Sequence, residues 1–198
     1  VAVKLAVLDA ARRSATTLAA HDIGVTQWMA GPQQGRPVVQ LPPGMPPCDA
    51  SISHSQALAV AVVASSGRVG VDIELVSPRT AAFLDEVFTA AEQAWLGELG
   101  ARLGRTMDEV WSLGWCIKEA MVKCTGHGLR DPLQQVDITG WIEPARVVSD
   151  VPWICDTPTS VARVVTLSTG APTTGLIALS RGYAWAILHI GARPDAPQ

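Results

Sequence analysis

Residues 106–128 hold the segment that most narrows what this chain can fold into. Thr106-Met-Asp-Glu109 has capping-box form, in which the Thr and Glu side chains satisfy each other's end of a helix N-terminus, and Gly126-His-Gly128 supplies a stop. Between these signals, Val110, Leu113, Ile117, Ala120, Met121 and Cys124 recur at helical spacing and make one full core face. Trp111, Trp115, Glu119 and Lys123 are spaced by four and line nearly the opposite side. An acid and a base aligned with two tryptophans predict a partly dry cleft on that side. The alternative is an i,i+4 Glu→Lys pair on an ordinary surface helix, a contribution of only about 0.2–0.5 kcal/mol. Two large aromatics on the same line make that alternative less comfortable.

Around this helix the chain alternates in character. Residues 2–21 read as a helix, with Gly24 beyond its end. A Gly/Pro-rich stretch follows, with short strand candidates at Val25–Met29 and Val38–Leu41. Three extended segments come next, Ser51–Ser55, Ala57–Ala64 and Arg68–Leu75. The last two are joined by Ser65-Ser-Gly67 and read as a hairpin. Phe83, Leu84, Val87 and Phe88 are helix-spaced, and Thr89-Ala-Ala-Glu92 is a second capping box. Strand character returns at Val136–Ile142, Arg163–Leu167, Leu176–Leu179 and Tyr183–Ile190, before a tail at 193–198. Helix, strands, helices, strands is an α+β order, with two lobes expected as 1–75 and 76–192.

The 198 residues carry 15 Lys+Arg against 18 Asp+Glu, a net charge of −3. That balance gives no support to nucleic-acid binding. Charged residues are 17% and hydrophobic ones 48%, which excludes a disordered chain. The longest apolar run, Ala57–Ala64, is too short for a membrane span, and no signal peptide is visible. Four cysteines without a CxxC pair read as reduced thiols of a cytoplasmic protein. Only three lysines occur, Lys4, Lys118 and Lys123, and position 1 is Val, which raises the expectation of a piece cut from a longer synthase.

Two further segments carry chemistry. In Arg68–Leu75, Val69, Val71, Ile73 and Leu75 share one strand face while Gly70, Asp72 and Glu74 share the other. Two carboxylates about 7 Å apart can converge on a divalent cation, or simply face water on a half-solvated strand. Ser51-Ile-Ser-His-Ser55 offers hydroxyls and an imidazole suited to phosphate oxygens, although a lone His is more often structural. No Gly-x-Ser-x-Gly elbow surrounds these serines.

Taken in order, Ser51-Ile-Ser-His-Ser55, Val69-Gly-Val-Asp-Ile-Glu74, Phe88-Thr-Ala-Ala-Glu92 and Trp115-Cys-Ile-Lys-Glu-Ala-Met-Val-Lys123 with Gly126-His-Gly-Leu129 resemble the 4′-phosphopantetheinyl transferases. The likeness is closer to the two-lobed, surfactin-synthetase-type branch and covers roughly residues 35–130. Val3-Lys4-Leu5-Ala6-Val7 also looks like the helix of transferase domains built into polyketide synthases. The resemblance implies two pseudo-symmetric lobes, each a small antiparallel sheet packed with a long helix, with the active site between the lobes. It implies Mg²⁺-dependent transfer of the phosphopantetheine arm of coenzyme A to a serine of an acyl or peptidyl carrier protein, with release of adenosine 3′,5′-bisphosphate. Fatty-acid or polyketide biosynthesis is the setting it suggests.

By the same resemblance Asp72 and Glu74 match metal-binding acids, and Glu119 a third acid that is a ligand or the general base. Lys123 matches a pyrophosphate contact, Ser53 with His54 a 3′-phosphate contact, and Arg36 a basic contact to coenzyme A. Lys118 and Gly128 fall in the same coenzyme A set, with Glu92 and Lys4 as weaker candidates; the capping box already accounts for Glu92. His127 departs from the Lys or Arg that the family commonly has there. Two-lobed relatives carry a strand and a basic helix before the position of Val1, so the expectation is either a piece cut from a longer chain or a minimal N-terminal lobe. A monomer is expected, with self-association through an exposed sheet edge if that lobe is truncated. Phe83, Leu84, Val87 and Phe88 serve either a carrier helix or the core, and Arg79, Arg102 and Arg105 are candidate partners for an acidic carrier. Two rival functions remain at this level, a non-catalytic carrier-docking module and a Mg²⁺-dependent hydrolase of another diphosphate.

Overall fold

The first helix, α1 (Ala2–Arg13), stops well short of residue 21. Ala15 turns into the left-handed region at φ 53°, the Ala15 N–H donates to Arg12 O (3.1 Å), and the Thr16 N–H donates to Ala11 O (2.9 Å). This paired closure ends a helix, and β-branched Thr16 and Thr17 do not restart it. The computed structural model describes residues 1–31, 33–126, 132–142, 160–166 and 172–191. His127, Gly128, Leu129, Cys155, Leu167 and the 193–198 tail lie outside the described residues.

After α1, β1 (Gly24–Gln27) and β2 (Pro37–Gln40) form an antiparallel pair. β3 (Asp49–Ser55) and β4 (Leu58–Ala64) form another, in register from Asp49↔Ala64 to Ser55↔Leu58. The α1 residues Val3 and Val7 bury against Ile23 and Ala50. The expected hairpin between Ala57–Ala64 and Arg68–Leu75 is not formed. β5 (Arg68–Leu75) pairs instead with β9 (Tyr183–Ile190), from Arg68↔Ile190 to Leu75↔Tyr183. A strand that buries residues on both faces needs a covered sheet, which β4, exposed or half-exposed along its length, does not offer.

The resulting five-stranded antiparallel sheet has the order β5-β9-β8-β7-β6, with β6 at Val136–Ile142, β7 at Ser160–Thr166 and β8 at Pro172–Ser180. Helices α2 (Ala81–Val87), α3 (Ala90–Leu103) and α4 (Met107–Thr125) precede β6. Both predicted capping boxes are formed, at Thr89/Glu92 and Thr106/Glu109, and α4 ends at Gly126 with φ 79°. All six residues of the predicted α4 core stripe are buried, beside Val87, Phe88, Leu96 and Leu188. Ile73, Ala178 and Trp185 make a separate small cluster with Val60. The fold is α+β. Its two halves are unequal: two two-stranded pieces with α1, and one five-stranded sheet with α4. Hydrogen bonding puts β5 in the second sheet, so the boundary expected at residue 75 falls after a strand that belongs to the second half. No helix among the described residues is long and apolar enough to cross a membrane.

The halves are joined by side chains. Asp49 Oδ2 accepts from the Val69 N–H (2.8 Å), Ser51 Oγ from Val71 N–H (3.1 Å) and Ser55 Oγ from Leu75 N–H (3.1 Å). Each pair is 20 residues apart, so β3 and β5 run in the same direction. Ser51→Ala leaves a buried N–H without its acceptor and is expected to cost about 1–3 kcal/mol. Urea unfolding measures it against Ile52→Ser, whose outward-facing position should leave the midpoint nearly unchanged.

Candidate active site

Helix α4 crosses β5 at Gly70. A Cβ there would collide with the Ala120 carbonyl oxygen and lie 2.8 Å from Cys124 N, so only glycine lets the helix settle at this depth. The approach sets Glu119 and Lys123 over Asp72 and Glu74. From position 111 to 123 of α4 only Trp111, Trp115, Glu119 and Lys123 escape full burial, the four-residue line read in the sequence.

Lys123 Nζ lies 2.7 Å from Asp72 Oδ1 and also donates to Ser53 Oγ (3.0 Å) and Val71 O (3.2 Å). Ser53 Oγ in turn donates to Asp72 Oδ1 (2.7 Å). Asp72 is 3% exposed, and its Oδ2 is buried with no hydrogen-bond partner. Glu119 Oε1 is a second buried oxygen without one. Glu74 accepts from Trp115 Nε1 (3.4 Å) and Ser55 Oγ (3.5 Å), and Trp115 leans on Phe83 at 5.0 Å between ring centroids. Two carboxylate oxygens near one ammonium are thus left without a hydrogen-bond partner, which is rare for buried acceptors.

A family model described as the 4′-phosphopantetheinyl transferase superfamily matches residues 68–188, which run from the start of β5 into β9 and cover more than half of the chain. The chain belongs to that superfamily. An L-aminoadipate-semialdehyde dehydrogenase-phosphopantetheinyl transferase of Eremothecium gossypii is 37% identical over 103 residues, 48% of this chain and 36% of the relative. The chain thus matches little more than a third of that relative's length.

In this superfamily member burial pushes the Glu119 carboxyl up to about 7, with Asp72 and Glu74 adding to the rise and Lys123 opposing it. Near neutral pH it can therefore hold or accept a proton. Burial, and then Asp72, likewise holds the adjacent Cys116 thiol well above its usual range, and Cys124 is raised to about 11, mainly by burial. Among the described residues no group of three or more His, Cys, Asp or Glu side chains is closed into a metal cage. The donor set still suits a hard cation. Mg²⁺ is commonly held by one or two carboxylates with substrate phosphates and water completing the shell, and Asp72 Oδ2 and Glu119 Oε1 are free to take part.

The other sequence-predicted residues scatter. His54 is exposed on the face of β3 opposite Ser53, as strand alternation requires, and does not join the cluster. Lys118 needs correction as a coenzyme A contact: it is fully buried, donating to Glu92 Oε2 (2.8 Å), Leu133 O (3.1 Å) and Val136 O (2.7 Å). Its ammonium is lowered by burial and held charged by Glu92. Glu92 is buried in that pair and also accepts from Ile138 N–H (3.0 Å), so both act inside the fold. Lys4 donates to Ala20 O (3.0 Å), tying α1 to the turn that follows it. Arg36 and Lys123 line a cavity of about 270 Å³ with Gln33, Pro37, Ile52 and Gly126. A larger, mostly apolar cavity of about 500 Å³ near Met45 and Val63 contains none of the site residues. Phe83 and Leu84 are half-buried and Val87 and Phe88 buried, which is core use rather than an open docking patch. Sequence reasoning missed Gly70 as the crossing point and Asp49 with Ser51 and Ser55 as one strand face, although the alternation of Asp49, Ser51, Ser53 and Ser55 was there to read.

Two expectations follow. Lys118→Ala strands the buried Glu92 carboxylate and should lower stability by about 3–5 kcal/mol in urea unfolding; a rise in coenzyme A KM with an unmoved midpoint would restore its role as a ligand contact. For Glu119, the folded-state value lies above the ordinary 4.5, so the folded protein holds a proton that the unfolded chain has lost. Stability of the metal-free protein is then lost as pH rises between about 4.5 and 7. Thermal melts at pH 5 and 8 with chelator should show this fall in the wild type and a smaller one in Glu119→Gln; equal slopes would refute it.

Proposed function

We propose that this chain transfers the 4′-phosphopantetheine arm of coenzyme A to a serine hydroxyl of an acyl or peptidyl carrier protein. The reading extends to cytoplasmic service of fatty-acid or polyketide carriers. The observation that carries it is the single cluster of Asp72, Glu74, Glu119 and Lys123, with two unpartnered carboxylate oxygens, inside a chain of this superfamily.

The carrier hydroxyl oxygen attacks the phosphorus that bears the pantetheine arm. A new P–O bond forms, the bond to the bridging pyrophosphate oxygen breaks, and adenosine 3′,5′-bisphosphate leaves with that electron pair. Glu119, whose carboxyl is raised to about 7 in the metal-free site, accepts the hydroxyl proton. Lys123 lines the 270 Å³ cavity; with its three N–H donors held by Ser53, Val71 and Asp72, it offsets charge developing on the leaving phosphate through its field. Asp72 and Glu74 would hold Mg²⁺, which when bound would offset the negative charge of the pyrophosphate and leave Glu119 as the base. No serine or cysteine of the chain is needed as a nucleophile, because the pyrophosphate is already activated. Trp115 and Phe83 shield the carboxylates from bulk water, which strengthens each charge contact.

The test is to incubate the protein with coenzyme A, Mg²⁺ and several apo-carriers and to weigh the carriers. A gain of one phosphopantetheine arm is expected, lost by at least 100-fold in rate for Asp72→Ala with its circular dichroism unchanged. No gain on any carrier would overturn the reading in favour of a docking module. Coenzyme A cleavage without carrier would replace it with a hydrolase.

A further inference from the structure

Arg36 resembles a coenzyme A contact by motif, yet its guanidinium is already committed inside the protein. Nε donates to Asp49 Oδ1 (3.2 Å), Nη2 to Asp49 Oδ2 and to Val69 O (3.4 Å), and Nη1 to the backbone carbonyl of Lys123. Four of its five N–H bonds are thereby used. Asp49 is equally committed, since Oδ2 also takes the Val69 N–H at 2.8 Å. The pair is largely enclosed, with side chains 10% and 20% exposed. The backbone of Arg36 is fixed as well: its carbonyl accepts from Trp28 N–H (2.9 Å), and Gly35 N–H donates to Trp28 O (2.8 Å).

One ion pair thus meets four segments: the approach to β2, the start of β3, the start of β5 and the last turn of α4. The contact to α4 is the informative one. Carbonyls in a helix's last turn have no partner within the helix, and a guanidinium placed there both caps the turn and complements its negative end. The carbonyl capped here belongs to Lys123, whose ammonium reaches Asp72 from the other end of the same residue. We propose that Arg36 and Asp49 are positioning residues: the bidentate pair clamps the end of α4 so that the Lys123 ammonium stays at Asp72, and Asp49, outside every motif, is as necessary to this as Arg36. The transfer arm of this proposal rests on the function proposed above.

Two substitutions separate positioning from direct ligand contact. Asp49→Asn keeps the shape but weakens the clamp while releasing the positive charge of Arg36 toward the cavity. Positioning predicts a kcat at least 10-fold lower with KM for coenzyme A unchanged or reduced. Arg36→Lys keeps the charge but cannot reach Asp49 and the Lys123 carbonyl together; it should lose kcat to a similar extent. Assays are run well below each variant's melting midpoint. If both variants keep wild-type kcat, or if Arg36→Lys raises only KM, the proposal is overturned. Amide exchange supplies a readout independent of transfer, with the last-turn amides of α4, including Gly126, exchanging at least 10-fold faster in Asp49→Asn while mid-helix amides hold. Unchanged exchange there refutes the clamp even if transfer is confirmed. A wild type that transfers nothing refutes the proposed function and leaves the exchange result to decide the clamp.

Discussion

The edge of β5 that no strand of its own sheet pairs is the constraint around which the rest of the structure is arranged. As the last strand of its sheet, β5 has a row of N–H groups that β9 cannot reach, and buried N–H groups require acceptors. A neighbouring strand would normally provide carbonyls. Here Asp49, Ser51 and Ser55 provide side-chain oxygens instead. A side chain extends the reach of β3, so the two strands are joined without a backbone ladder between them. Ser53 stands where the next rung belongs, but its hydroxyl serves Asp72 and Lys123. The interruption of the structural pattern coincides with the candidate chemistry.

Gly70 supplies the second half of that geometry. Without a Cβ the strand admits the α4 backbone, and the depth of the crossing determines how closely Glu119 and Lys123 approach the strand carboxylates. Close approach has an electrostatic consequence. Three acids share a half-dry space with one ammonium, so one of them is held at an elevated proton affinity, and burial selects Glu119. The same burial that would destabilise an idle surface helix is what gives this carboxyl a proton affinity useful near neutral pH.

Much of this was legible in the residues. The two-sided α4 pattern, both capping boxes, and the bounds of β5, β6 and β9 follow from spacing and turn chemistry, because these elements bury a periodic face. Asp72, Glu74, Glu119 and Lys123 meet as motif order suggested. What spacing could not supply was pairing. The turn at Ser65-Ser-Gly67 is compatible with a hairpin, and only the need of β5 for cover on both faces sends it to a strand more than 100 residues away. Lys118 misled for a related reason. It lies one residue from Glu119, which on a helix is a turn of about 100°, enough to move it from the cleft into the core beside Glu92 and Phe88. His54 and Ser53 part in the same way across a strand.

The thiols give the site one more property. Cys116 touches the electrostatic environment of Asp72, and its sulfur donates to Ala184 O at 3.4 Å; Cys124 donates to Arg68 O at 3.2 Å. Both are driven by burial toward the protonated form, and Cys48 is shifted the same way. Oxidation, alkylation and disulfide exchange all proceed through the thiolate. A thiol is therefore packed beside the candidate site in its protonated form, the form that peroxide and electrophiles engage only slowly.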